Sequence, residues 1–70
     1  MFIEIRGVVY NMFKYSKVVK ESTLTGSFNR LTFWNGQSPN DYIDFAEDIE
    51  ALDTAYDFIK TSTSTVTLVE

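Results

Sequence analysis

The side chains in this sequence that could take part in chemistry are carboxylates. Seven of them fall within residues 41–57, namely Asp41, Asp44, Glu47, Asp48, Glu50, Asp53 and Asp57. A pair of carboxylates can supply the acid and the base of a glycosidase-type reaction if a pocket raises the pKa of one above that of the other. A 70-residue domain that carries its acids along one helix offers little concave pocket. The pattern therefore predicts a solvated acidic face rather than a catalytic pair.

Other catalytic and ligand-binding chemistries lack the residues they need. The chain has no His and no Cys, which excludes a thiol nucleophile, a histidine base and a transition-metal site with the usual ligands. The acids do not follow the order of an EF-hand calcium loop, because its central Gly is missing. Gly7, Gly26 and Gly36 stand apart, so there is no Gly-rich phosphate loop. We predict a protein that is not an enzyme and holds no metal or cofactor.

The charges are divided unevenly along the chain. Residues 1–35 hold five basic and two acidic residues (net +3), whereas residues 36–70 hold one basic and eight acidic residues (net −7). One interpretation is that two solvated faces neutralise each other across the fold. The other is that an acidic helix docks on a basic surface of a partner protein, with negative charge spaced as along a phosphate backbone. The candidate partner-binding residues are Asp44, Glu47, Asp48, Glu50, Asp53 and Asp57.

A second binding hypothesis uses the basic half of the chain. Basic residues beside stackable rings are typical of surfaces that bind single-stranded nucleic acid. The candidate residues are Lys14, Tyr15, Lys17, Lys20, Arg30 and Trp34. Two observations oppose this hypothesis: a sheet face that packs on a helix needs the rings itself, and the net charge of −4 repels phosphate. A third alternative is a homo-oligomer in which the basic sheet of one copy meets the acidic helix of another.

The spacing of apolar residues predicts an amphipathic helix over residues 48–60. Spacings of three and four place one apolar stripe along it, formed by Ile49, Leu52, Ala55, Tyr56 and Ile59. Ala51 and Phe58 widen that stripe, which favours a helix lying flat on a sheet. The run of Thr and Ser after Lys60 favours extended chain and ends the helix.

Two starts of this helix fit the sequence. Residues 38–41 combine a capping Ser, a Pro suited to the first helical position and an acid. The competing interpretation makes residues 42–46 a short strand and residues 35–41 a loop, and starts the helix near Glu47. We favour the second slightly, because a helix from Pro39 would carry seven acids against one Lys along a single rod.

The segments before the helix have the alternation of strands. The first strand covers residues 2–10 in one or two pieces, with Ile3 and Ile5 on one face and Gly7 as a bulge or bend. Residues 17–34 predict a hairpin of two strands that reverses near Gly26.

Two later segments leave alternatives open. If residues 42–46 are a strand, they extend the meander to four strands. For residues 63–69 the alternatives are an edge strand, a strand exchanged with another copy and a frayed tail.

Several pieces of this pattern occur together in one family. The pieces are Val9-Tyr10-Asn11, Leu31-Thr32-Phe33-Trp34-Asn35-Gly36, and Ile43-Asp44-Phe45 leading into Glu50-Ala51. A short meander followed by such an acidic helix resembles small bacterial and phage proteins of the flagellar FlbD-like type. The stretch around Pro39 and the Thr-rich end depart from that type. The resemblance implies no enzyme activity. Small acidic inhibitors encoded by phages are similar in their charge, which implies a regulator or inhibitor of phage or mobile-element origin.

Together these observations predict one α+β domain over residues 1–70. It is a small antiparallel β-meander of three to four strands packed against one acidic amphipathic α-helix, with residues 61–70 as an edge strand or flexible tail. So short a chain buries only roughly 60% of its unfolded surface. An aromatic core, drawn from the 16% of aromatic residues, or self-association must therefore support it. No signal-peptide pattern and no apolar run of about 20 residues is present, which predicts a cytoplasmic protein without membrane contact.

Overall fold

The computed structural model describes residues 1–62 and 66–70. The elements are β1 (Phe2–Ile5), β2 (Val8–Asn11), a 3₁₀ turn (Met12–Lys14), β3 (Lys17–Ser22), β4 (Asn29–Asn35), β5 (Ser38–Ala46), α1 (Ile49–Ser62) and β6 (Thr67–Val69). They form an α+β fold with a two-stranded sheet, β1-β2, and a four-stranded sheet in the order β5-β4-β3-β6. The predicted fold class is confirmed. The predicted first strand, residues 2–10, is instead two strands, β1 and β2, which do not join the meander and form a separate sheet.

The β1–β2 hairpin reverses at Arg6 and Gly7. Both residues have positive φ, +54° and +82°, and they separate the paired residues Ile5 and Val8. A two-residue turn with positive φ at both positions matches the twist of antiparallel strands. Gly7 therefore marks a tight turn between two strands rather than a bulge inside one. Ile3 and Ile5 share one face of β1, as predicted, and both are buried.

The predicted hairpin over residues 17–34 is confirmed as β3 and β4. The strands pair antiparallel from Lys17 opposite Trp34 to Ser22 opposite Asn29. The chain reverses again at Gly36, where φ is +64°, and β5 pairs antiparallel with β4. These two reversals build the meander of β3, β4 and β5, which forms one side of the core.

β5 is longer than the sequence predicts. It starts at Ser38, so residues 38–41 are neither a loop nor the first turn of a helix. Pro39 is tolerated because β5 is the outermost strand of its sheet and Pro39 pairs with Trp34 beside a register shift. An edge strand loses no ladder hydrogen bond where its N–H side faces outward. The later helix start, favoured from charge repulsion, is confirmed.

α1 begins at Ile49, and Asp48 caps it. The Asp48 carboxylate accepts a hydrogen bond of 3.0 Å from the N–H of Ala51, which satisfies one of the free donors of the first turn. Four residues of the predicted apolar stripe are buried: Leu52, Ala55, Tyr56 and Ile59. Ile49 is the exception, since 44% of it is exposed at the start of the helix.

β6 is an edge strand that pairs with β3, and the pairing is parallel. The direction follows from the helix, because a parallel neighbour requires a crossover of this kind. One of the predicted alternatives for the end of the chain is thus confirmed for Thr67–Val69. Residues 63–65, which the sequence analysis grouped with this strand, lie outside the described residues.

The core lies between one face of the four-stranded sheet and a layer made by α1 and the first hairpin. The sheet contributes Val18, Leu31, Phe33, Ile43 and Phe45, and the covering layer contributes Ile3, Ile5, Met12, Tyr15, Leu52, Ala55, Tyr56 and Ile59. The alternate side chains of β3, β4 and β5 point the other way. We call that side the open face; it carries Lys17, Val19, Glu21, Arg30, Thr32, Trp34, Tyr42 and Asp44. Tyr42 is 60% exposed there.

Candidate binding surfaces

Half of the predicted acidic set has a partner inside the fold. Asp44 lies in β5 and accepts a hydrogen bond of 2.8 Å from the N–H of Ala46. Asp48 is the helix cap described above. Asp53 makes an ion pair of 2.7 Å with Lys20 across the gap between helix and sheet. These three carboxylates support the local structure.

The other half of the set has no such role. Glu47, Glu50 and Asp57 are exposed, and their carboxylates make no hydrogen bond or ion pair with any other described residue. Glu50 and Asp57 are two helical turns apart and therefore share one side of α1, away from the buried stripe. Glu47 precedes the first turn. We call these three residues the acidic stripe.

The predicted basic set is divided between the two sides of the sheet. Lys20 is on the core side, because it pairs with Leu31 in the ladder and reaches Asp53, while its Nζ lies 5.0 Å from the centre of the Tyr56 ring. The hydrogen bond to Asp53 raises the pKa of Lys20. Glu70 is a second, longer partner at 3.9 Å. Lys20 therefore lies away from the sheet surface that was predicted to bind nucleic acid.

Tyr15 and Lys14 are also on the core side. Tyr15 is buried and stacks on Phe33 with a distance of 5.1 Å between ring centres. Its hydroxyl donates a hydrogen bond of 2.5 Å to Asp41, and the Lys14 ammonium lies 3.6 Å from the same carboxylate. Burial, followed by the hydrogen bond to Asp41, raises the pKa of the Tyr15 phenol. Tyr15 is thus a core residue whose polar end is satisfied at the surface.

The remaining members of the basic set meet on the open face. The Lys17 ammonium lies 4.3 Å from the centre of the Trp34 ring. The Arg30 guanidinium lies 4.3 Å from the Tyr42 ring and 4.7 Å from the Phe28 ring. These are cation–π distances. The open face therefore presents the rings of Trp34 and Tyr42, each with a cation over it, and Phe28, at the end of the β3–β4 loop, shares the Arg30 cation.

Two hydrogen-bond donors on the open face have no acceptor among the described residues. They are Nε of Arg30 and Nε1 of Trp34, and both atoms are shielded from solvent. A shallow groove of about 330 Å³ runs beside Arg30 and is lined by Thr32, Pro39, Asn40, Asp41 and Tyr42. Buried donors without partners are uncommon in proteins. They make this part of the sheet a candidate for an acceptor-bearing ligand.

Tyr42 is the open-face residue that sequence reasoning missed, since it was placed with the apolar stripe of a helix or within a short strand. The signal that could have found it is the alternation in β5. Ile43 and Phe45 are buried, so Tyr42 and Asp44 must point outward.

Two further classes of site were sought in the described residues. No group of three or more acidic side chains there is arranged to hold a metal ion. No helix of the described chain has the length and apolar character needed to cross a bilayer.

The chain was compared with protein-family models, with curated proteins and with solved structures, and none of the three comparisons produced a match. The resemblance to FlbD-like proteins therefore stays a prediction from the sequence.

Proposed function

We propose that this protein is a small interaction module without chemistry of its own, and that its acidic stripe docks on a basic surface of a partner protein. The observation that supports the proposal is that four acidic residues of this region have partners within the fold and three do not. Asp41, Asp44, Asp48 and Asp53 have partners within the fold, whereas Glu47, Glu50 and Asp57 do not find one among the described residues.

The acidic stripe faces solvent. Its three residues lie at the start and on the solvent side of α1, while the covered side of the helix holds Leu52 and Ile59. Their mutual repulsion has no counter-charge in contact with them, and a basic surface would relieve it. Complementary charge of this kind speeds association and selects partners more than it adds affinity.

The role inferred from the sequence belongs to the same proposal. A compact acidic protein that presents carboxylates along a helix is suited to cover the nucleic-acid-binding surface of another protein. In this proposal it acts in the cytoplasm as a regulator or inhibitor of phage or mobile-element origin. The acidic helix and the size of the chain are the features that support it.

The test is a titration with a Lys-rich peptide at low and at high salt. The variant pair Glu50→Gln and Asp57→Asn should lose most of the binding that the unchanged protein shows. The matched control is Glu4→Gln with Glu21→Gln, at exposed positions of β1 and β3 that make no ion pair within the described residues, so that both variants have the same net charge. Equal losses in the two variants would show that only total charge matters, and the stripe would then have no specific role.

Self-association is a second candidate, supported by the first hairpin. Phe2, Val9 and Phe13 are 72%, 63% and 70% exposed, and Phe2 and Val9 share the hairpin face opposite the buried Ile3 and Ile5. Exposed apolar residues grouped in this way mark interaction sites. Sedimentation velocity of the protein and of Val9→Thr over a range of concentrations tests this: a monomer at every concentration would exclude it.

A further inference from the structure

We infer that the open face is a second, separate binding surface and that its ligand is single-stranded nucleic acid. The proposal does not depend on the acidic stripe, because α1 and the open face lie on opposite sides of the four-stranded sheet. Its starting point is that the rings of Trp34 and Tyr42 are not used in the core.

The arrangement of the rings fits stacked bases. Tyr42 pairs with Thr32, two residues from Trp34 on the adjacent strand, so the two rings are diagonal neighbours. Such neighbours on a sheet are about 7–8 Å apart, which leaves room for each ring to take its own base. Every base has a π-face, and stacking on sheet-borne aromatics is how several single-strand-binding domains hold their ligands.

The cations of the open face fit the phosphates. Of the six Lys and Arg residues in the chain, Lys14 and Lys20 make ion pairs with acids, and the other four, Lys17 and Arg30 among them, make none within the described residues. Lys17 and Arg30 each lie over one face of a ring, so a base would stack on the other face of that ring or take the place of the cation. The unpartnered Nε of Arg30 and Nε1 of Trp34 are shielded from solvent, so these side chains must move before either atom can donate to a ligand.

The open face also carries two acids, and both already have donors. Glu21 accepts the hydroxyl hydrogen of Thr32, and Asp44 accepts the N–H of Ala46. Neither forms an ion pair with Arg30, although both are its neighbours in the ladder. Both carboxylates keep their charge, so Lys17 and Arg30 are balanced in number by Glu21 and Asp44, and the face is neutral in sum although the chain as a whole is acidic. The positive charge that a phosphate would meet is local to the two rings.

The experiment is a titration of a fluorescein-labelled oligothymidylate, followed by anisotropy and by the emission of Trp34, which is the single Trp of the chain. We expect saturable binding at low salt and quenching of Trp34. Tyr42→Leu should weaken binding by about fivefold or more, the low end of the effect of losing one stacked base. Tyr42→Phe keeps the ring and should bind nearly as the unchanged protein does. Phe58→Leu, which removes an exposed ring on α1, is the matched control.

The salt dependence separates the binding of phosphates from the stacking of bases. Replacing Lys17 and Arg30 together by Gln should weaken binding and should reduce the slope of log affinity against log salt by roughly 0.7 for each phosphate that the variant no longer neutralises. Lys60→Gln, on the helix, should leave the slope unchanged. The inference is overturned if the oligonucleotide does not bind at low salt, or if Phe58→Leu and Lys60→Gln have the same effects as the open-face variants.

Discussion

The Lys20 ammonium on β3 lies 2.7 Å from the Asp53 carboxylate on α1, and this ion pair ties the helix to the sheet. Each residue belongs to a different predicted binding set, Lys20 to the basic one and Asp53 to the acidic one. Because they bind each other, neither is a suitable probe of partner binding. Substitutions at Glu50 and Asp57, or at Lys17 and Arg30, change the proposed surfaces without breaking this ion pair.

The first prediction concerns the stability that this ion pair provides. Asp53→Asn should lower the free energy of unfolding by about 0.5 kcal/mol at neutral pH, as expected for a pair whose acid is half exposed. The pKa of Lys20 is raised in the folded protein. Its contribution is therefore complete below the unfolded pKa of about 10.4 and is lost as the pH rises through the folded value. Urea unfolding at pH 7 and above pH 10 measures both effects.

The control for this prediction is Glu50→Gln, which removes an acid from the same helix without breaking an ion pair. The difference in the free energy of unfolding between Glu50→Gln and the unchanged protein should not disappear in the same alkaline range. If Asp53→Asn is as stable as the unchanged protein at every pH, the ion pair does not stabilise the fold.

The division of the basic residues could be predicted only in part. Val18 and Val19 are both apolar, so the sequence does not show which of them faces the core, and the sides of Lys17 and Lys20 depend on that choice. In the structure Val18 is completely buried, which places Lys20 against the helix and Lys17 on the open face. For Tyr42 the alternation with Ile43 and Phe45 was sufficient, provided that the segment was taken as a strand.

In the fold, too, the features set by neighbouring residues could be predicted from the sequence, and those set by the order of strands in the sheet could not. The hairpin of β3 and β4 and the stripe of α1 follow from turn residues and periodicity, which are local. The extension of β5 to Ser38 is not local, because Pro39 is acceptable only where a strand has no neighbour on one side. The separation of the first hairpin from the main sheet likewise depends on strand order.

The second prediction concerns the buried phenol of Tyr15. Tyr15→Phe removes the hydroxyl that donates to Asp41 and should cost about 1 kcal/mol at neutral pH. Burial raises the pKa of this phenol, so the folded protein keeps it protonated after the unfolded chain has begun to ionise near pH 10. The unchanged protein therefore loses stability above pH 10 through a group that the variant lacks.

The measurement is the free energy of unfolding in urea for both proteins at pH 7, 9 and 11. We expect the two values to converge as the pH rises. A constant difference across this range would mean that Tyr15 ionises equally easily in the folded and unfolded chain.

The third prediction concerns Asn29, the first residue of β4, whose polar side chain lies beside the β3–β4 loop. It is fully buried, and its Nδ2 donates to the carbonyl oxygens of Gly26 and Ala46 at 2.9 and 2.8 Å. Asn29→Ala leaves both acceptors without this donor and should cost about 2 kcal/mol. Asn29→Asp should cost more, because a carboxylate would face two carbonyl oxygens.

The two substitutions differ in their pH dependence. In Asn29→Asp the new carboxyl group can donate a hydrogen bond only when it is protonated. Its pKa in the folded protein must therefore be raised. As the pH falls below that pKa, Asn29→Asp should gain stability relative to Asn29→Ala. Thermal unfolding of both variants between pH 4 and 8 tests this. An Asp variant that matches the Ala variant at every pH would show that the donor is not needed.

The last prediction separates stability from binding within the acidic stripe. Glu50 lies in the first turn of α1, where the positive end of the helix dipole favours an acid, so Glu50→Gln should lower the free energy of unfolding by about 0.3 kcal/mol. Asp57 lies nearer the negative end, and Asp57→Asn should leave stability unchanged or raise it slightly. Both effects should shrink at high salt, since salt screens exposed charge. Binding to a Lys-rich peptide should instead fall in both variants. If the two variants change the free energy of unfolding differently but both weaken binding, the charges of Glu50 and Asp57 serve a partner. If binding instead changes in parallel with stability, the acidic stripe is only a solvated helix face.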